Sequence, residues 1–107
     1  MSAGEPHLDP VLTDPTRLSI LALLANSHWP EFSFVRDSVA ISDSALSKQI
    51  STLEKNDYVR VKKGHVGKRP RTWIHITPTG LTTLNQHVQA LQRIVALSQV
   101  RLDPTSP

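Results

Sequence analysis

Two stretches of this 107-residue chain place side chains able to handle a polyanion at regular spacing. In the first, Ser44, Ser47, Lys48, Ser51 and Lys55 recur at intervals of three, one, three and four residues, which on a helix gathers them on one side. Small hydroxyls let a helix enter a groove about 12 Å wide and donate to base edges or phosphates, while lysine supplies charge for the phosphates. A solvated polar face has the same pattern, so the stripe alone does not decide between the two. In the second stretch Lys62, Lys63, His65, Lys68, Arg69 and Arg71 crowd a segment that contains no acid. Gly64 and Gly67 let its backbone come close to a partner and Pro70 stiffens its return. Arginine at such a tip can lie along phosphates or reach into a narrow minor groove, where the negative potential is strongest.

The charge distribution isolates this segment. Residues 1 to 57 hold four Lys/Arg and eight Asp/Glu, residues 58 to 77 hold six Lys/Arg and no acid, and residues 78 to 107 hold two Lys/Arg and one acid. The formal net charge of +3 therefore conceals a local block of +6, the form an electrostatic footprint for a polyanion takes. At 107 residues the chain has the size of one domain, with a modest core that would gain from a second subunit. The chain has no cysteine, which excludes disulfides, thiolate metal sites and thiol chemistry. Its longest apolar stretch, Ile20 to Ala25, is far short of the ~20 residues of a membrane span, and Met1 to Pro10 carries no secretory signal pattern, so a cytoplasmic location is expected.

The elements that must position these residues can be read in order. Asp14-Pro15 is a cap followed by a proline that can start a helix, and the helix should run to about Asn26. Its apolar residues Leu18 and Ile20 to Ala25 nearly encircle it, so it should be central and covered on more than one side. Asp9-Pro10 ahead of Val11 and Leu12 reads as a second, shorter start. Phe32, Val35 and Val39 fit about two amphipathic turns, and Ser42 can cap a following helix on which Leu46, Ile50 and Leu53 form the buried stripe. That helix should end near Asn56 in a left-handed cap. The short link Ala40-Ile41-Ser42 makes the pair a helix-turn-helix. From Tyr58 the period becomes two: Val59 and Val61, then Ile74 and Ile76, imply two strands around a loop from Lys63 to Arg71 that looks too long for a two-residue turn. Thr77-Pro78 starts a last helix that should reach about Gln99.

The run from Ser42 to Val59, with its L-S-K-Q-I-S-T-L-E-K core at Leu46 to Lys55, the G-K-R-P-R-T segment at Gly67 to Thr72, and T-P-T-G at Thr77 to Gly80 resembles the small winged-helix transcriptional regulators of the MarR and ArsR groups over about residues 8 to 97. The resemblance implies a dimeric, repressor-type DNA-binding protein with Ser44, Ser47, Lys48 and Ser51 on its recognition helix and Lys68, Arg69 and Arg71 in its wing. The cysteines of ArsR-type metal sensing are absent, so a thiolate switch is not carried over.

The expected fold is mainly α with a small two-stranded antiparallel β wing. Residues 8–77 would form a winged helix-turn-helix DNA-binding unit and 78–100 a dimerisation helix of the same compact body, with residues 1–7 and 103–107 as disordered tails. In the last helix Leu81, Leu84, Val88, Leu91, Val95 and Leu102 follow a heptad of three- and four-residue steps, with Ser98 filling the one slot between Val95 and Leu102 and Ile94 on the flank, a seam suited to pairing with a second copy. The DNA-facing set is Ser42, Ser44, Ser47, Lys48, Ser51 and Lys55 on the helix and Lys62, Lys63, His65, Lys68, Arg69 and Arg71 in the wing. None of the five histidines pairs at metal-ligand spacing, so no metal and no cofactor is implied. His65 could donate to phosphate, His87 flanks the seam, and the remaining histidines read as surface or loop residues. The leading function is a homodimeric regulator of double-stranded DNA. A winged-helix RNA-binding module would use the same charges without requiring the seam, and in a winged-helix protein–protein adaptor the wing charges would meet an acidic partner. No nucleophile–base pair, carboxylate pair or phosphate loop of recognised spacing points to an enzyme.

Overall fold

A computed structural model of the chain describes residues 7–98. The expected tails lie outside the described residues apart from His7, as does Leu102 of the seam. The order is α1 (Pro15–Ala25), α2 (Phe32–Val39), α3 (Asp43–Lys55), β1 (Val59–Val66), β2 (Arg69–Ile76) and α4 (Pro78–Ser98).

The helix starts are set by local chemistry. Asp14 accepts from the backbone N–H groups of Thr16 and Arg17 ahead of Pro15, Ser42 accepts from Ala45 N–H at 3.1 Å, and Thr77 Oγ1 accepts from Gly80 N–H at 2.9 Å. Residues 10–13 form a turn and not the short helix expected there: Leu12 N–H closes on the Asp9 carbonyl, and Asp14, held extended before Pro15, stops propagation. The turn still seats Leu12 fully inside the core.

α1 is central, packing on α2, α3, α4 and β2. Its coverage is narrower than its apolar run suggested, because Ile20, Leu21 and Leu24 are buried while Ala22 and Ala25 face solvent. Alanine gains little from burial, so a helix can turn it outward at small cost. The core continues through Val35, Leu46, Ile50, Leu53, Val59, Ile74, Ile76 and Leu84.

α3 ends as a Schellman motif: Tyr58 N–H donates to the Leu53 carbonyl at 2.9 Å and Asp57 N–H to that of Glu54 at 3.0 Å. The left-handed residue is Asp57, with φ of 61°, and Asn56 keeps a φ of −90°, one position away from the expected cap. α2 ends on Ala40 in the left-handed region, φ 58° and ψ 51°, which makes the sharp turn into α3.

The two strands pair antiparallel from Val59↔Ile76 out to Val66↔Arg69. The expected long loop is therefore strand for most of its length, closed by the two residues Gly67 and Lys68, with Gly67 at φ +62° as a tight hairpin requires. No alternation betrayed this extension, because from Lys62 to Arg69 the hairpin buries neither face and so carries no apolar period. Pro30 and Glu31 add a short third edge: Ile74 N–H donates to the Pro30 carbonyl at 3.0 Å and Glu31 bridges Trp73.

α4 splits its apolar residues between two faces. Gly80, Leu84, His87 and Ala90 are buried against the chain's own core. Leu84, expected in the seam, belongs to that inner face at 5% exposure. Leu81, Val88, Ile94 and Val95 remain exposed, Leu91 is half-buried, and Leu97 is 84% exposed among the described residues. His87 also turns inward: its Nδ1 accepts from Asp9 N–H at 2.9 Å. Tyr58 Oη donates to the Asp9 carboxylate, and burial followed by that contact pushes the phenol pKa up. Among the described residues no helix is long and apolar enough to cross a membrane.

Candidate nucleic-acid interface

The buried stripe Leu46, Ile50 and Leu53 turns α3 so that Ser44, Ser47, Lys48, Ser51 and Lys55 are all exposed, together with the capping Ser42. The helix is held against roll from its flank. Arg17 donates through Nε to the Val11 carbonyl at 2.6 Å and through Nη1 to Gln49 Oε1 at 3.1 Å, tying α3 to α1 and to the turn before it. Its N-terminal end is tied to α2, where Arg36 donates to Asp37 and Asp43, both at 2.8 Å. Those two carboxylates hold the Arg36 guanidinium pKa above its ordinary range, and Arg36 holds the Asp37 carboxyl below its own.

The hairpin projects beside this face. α3 and the strands border one open cleft of about 540 Å³, with Ser47, Ser51 and Glu54 on the helix wall and Lys63, Arg71 and Thr72 on the strand wall. Glu31 and Ser33, at the start of α2, close one end. Lys62, Lys63, His65, Lys68 and Arg69 are exposed, with Lys68 in the turn itself and Arg69 opposite Val66. Lys62 is set opposite Trp73 in the register and borders a second hollow with Trp29, Gly64, His65 and Trp73, so the basic residues are spread over both sides of the hairpin.

Arg71 differs from its basic neighbours. It is half-buried, 3.5 Å from Glu31, and its Nε is buried without a hydrogen bond. Glu31, Ser33 and Thr72 carry no periodic signal in the sequence: Glu31 sits on the edge of β2, Ser33 in the first turn of α2 and Thr72 within β2, and only the fold brings them to one cleft. The aromatic group behind the hairpin was equally silent. Trp29 stacks on His75 with ring centroids 4.9 Å apart, and His75, expected at the surface, has a buried Nδ1 without a hydrogen-bond partner. Among the described residues no three His, Cys, Asp or Glu side chains form a metal-sized group.

The chain matches the family model described as winged helix DNA-binding domain over residues 16–95, and it belongs to that family. A transcriptional regulator homologue protein from Pyrococcus horikoshii is 26% identical, with a TM-score of 0.78 over 84% of this chain and 89% of that one. AbsC, a MarR family transcriptional regulator from Streptomyces coelicolor, is 23% identical, with a TM-score of 0.64 over 85% of this chain and 68% of its own. The Mycobacterium tuberculosis regulator MosR, solved in complex with DNA, shares the fold at 21% identity, with a TM-score of 0.65 over 83% of this chain and 65% of its own. The resemblance to MarR-type regulators is thereby borne out at the level of fold, as is the mainly helical architecture with its β wing. This is a winged-helix DNA-binding domain, and its family and fold are those of transcriptional regulators, which are not enzymes.

Proposed function

We propose that the chain acts in the cytoplasm as a homodimeric, sequence-specific repressor on double-stranded DNA. The observation that carries this reading is the shared cleft: an exposed face of hydroxyls and lysines on α3 and a basic hairpin border the same opening. α3 enters the major groove with Ser44, Ser47, Lys48 and Ser51 toward the bases, while Ser42 and Lys55 meet phosphates. Lys63, His65, Lys68 and Arg69 carry the hairpin along the phosphates or into the adjoining minor groove, with Lys62 and Arg71 at its sides. Residues 8–77 make the DNA-binding unit and 78–100 the pairing helix. Leu81, Val88, Leu91, Ile94 and Val95 meet their copies in the partner, because an apolar helix side left uncovered by the described residues is suited to a second chain. A symmetric pair presents two α3 helices to half-sites about 34–36 Å apart.

Selection of bound fragments from a genomic library by the purified protein tests the reading: a palindromic duplex is expected, and preferential recovery of RNA would favour the RNA-binding alternative. Leu91→Asp should convert a dimer to a monomer in light scattering, and a variant that stays dimeric moves the interface elsewhere. Ser47→Ala should change sequence preference more than mean affinity; a uniform loss on all duplexes would restrict α3 to phosphates.

A further inference from the structure

The one guanidinium that lines the cleft between α3 and the hairpin among the described residues is already engaged by a carboxylate of the same chain. Arg71 lies on β2, and Glu31 is laid along that strand's outer edge by the Pro30–Ile74 hydrogen bond and the Glu31–Trp73 bridge. The two side chains stand 3.5 Å apart at 34% and 39% exposure. The contact is loose: Arg71 Nε faces Glu31 Oε1, yet it is buried and makes no hydrogen bond. A buried guanidinium donor left unsatisfied favours a better-placed oxygen anion when one arrives.

Groove geometry says which anion that is. The major and minor grooves of a duplex are divided by a sugar–phosphate strand, so a helix in one and a hairpin tip in the next stand on either side of that strand. The strand must cross the opening between them, where Ser33, Ser47, Lys63 and Thr72 line the walls beside Arg71. Of the cleft's acids, Asp43 is held by Arg36 at 2.8 Å, Glu54 stands on the α3 wall, and Glu31 alone pairs with the arginine.

We propose that Glu31 is an intramolecular stand-in for a DNA phosphate: its carboxylate holds Arg71 in the free protein, and a backbone phosphate entering the cleft takes the guanidinium over. The proposal rests on the DNA-binding reading above and adds a regulatory residue to the same site. Glu31 lowers the sequence-independent part of the affinity, since each duplex must displace it, and leaves base contacts a larger share of the total. A duplex held only at the hairpin tip leaves the Glu31–Arg71 pair intact.

The test compares the wild type with Glu31→Gln, Arg71→Gln and the double variant, titrated on a selected duplex and an unrelated one over a range of salt. Glu31→Gln should bind the unrelated duplex about three- to ten-fold tighter at low salt, with the gain shrinking as salt screens the charge. Arg71→Gln should weaken binding on both duplexes and lower the salt slope by about one. With Arg71 already replaced, the Glu31→Gln gain should fall below about two-fold, the residue of a simple change in net charge. A gain that persists in full without Arg71, or a Glu31→Gln variant no tighter than wild type, overturns the displacement while leaving the DNA-binding reading intact. Failure of the wild type to bind any duplex brings down both. An independent readout needs no variant: on adding duplex to the labelled wild-type protein, the Glu31 carboxyl carbon and the Arg71 Nε resonances should both shift, and an unmoved Glu31 signal with bound DNA overturns the exchange.

Discussion

At the base of the β hairpin Val59, Ile74 and Ile76 are buried and Gly80 of α4 is pressed against the Tyr58 backbone, whereas at the tip Val66, Gly67, Lys68 and Arg69 are all exposed. The same two strands thus serve two ends with opposite needs. The base is closed by packing and by hydrogen bonds in series: Thr77 N–H donates to the Tyr58 carbonyl at 2.9 Å, Thr77 Oγ1 donates to the Asp57 carbonyl at 2.6 Å, and the same oxygen accepts from Gly80 N–H. The tip is closed by one turn and otherwise meets water. Residues at the base are chosen by the fold; residues at the tip are free to be chosen by a partner.

The glycines at the two ends state the difference most sharply. A Cβ on Gly80 would stand 2.2 Å from the Tyr58 carbonyl oxygen and 3.0 Å from Ile76 Cγ1, both parts of the packed base. Gly80→Ala should therefore destabilise the protein by roughly 2–3 kcal/mol, lowering the melting temperature by on the order of 10 °C or more. A melting temperature unchanged by this substitution would mean that α4 can lift off the strands at no cost. Gly67 has open space around it but a φ of +62°. Gly67→Ala should cost about 1 kcal/mol through backbone strain alone, with the core's hydrogen-exchange protection pattern retained. A loss as large as that of Gly80→Ala would show that the tip is coupled to the core.

Smaller still is the effect expected of the paired change Lys68→Ala and Arg69→Ala: within about 0.5 kcal/mol in denaturant unfolding, because neither side chain is buried. The same protein should lose DNA affinity, with its salt slope reduced by about one for each lost phosphate contact. An unchanged slope and affinity would remove the tip from the interface. The mildest expectation concerns pH at the base. The folded state holds the Tyr58 proton more tightly than the unfolded chain, chiefly through burial and then through Asp9. This contribution is complete below the phenol's ordinary pKa of 10.0 and is lost as the pH rises through the higher folded value. Tyr58→Phe should flatten that alkaline fall in stability, and an identical pH profile would exclude the phenol as its source.

The legible parts of the sequence were local or periodic. Asp14-Pro15, Ser42 and Thr77-Pro78 act on amides two or three residues away, so their helix starts could be placed without any knowledge of the fold. The stripe Leu46, Ile50 and Leu53 fixed which side of α3 faces out. The hairpin's length was hidden because the stretch from His65 to Pro70 is exposed on both faces. Leu84 fitted the heptad and still turned inward with Gly80 and His87, while Val88, one turn on, stayed at the surface. Asp57 took the left-handed position one residue past Asn56, where its own N–H and that of Tyr58 close on the last carbonyls of α3.

Composition, charge blocks and short-range capping thus determined by themselves that this is a small helix-turn-helix body with a basic hairpin and a long amphipathic last helix. Tertiary structure alone decided that Arg71 meets Glu31, that His87 is a buried acceptor, and that α3 and the hairpin share one cleft. The physical reason is separation along the chain: Glu31 and Arg71 stand forty residues apart, Asp9 and His87 seventy-eight, and no local rule relates such pairs until the core has set their distance.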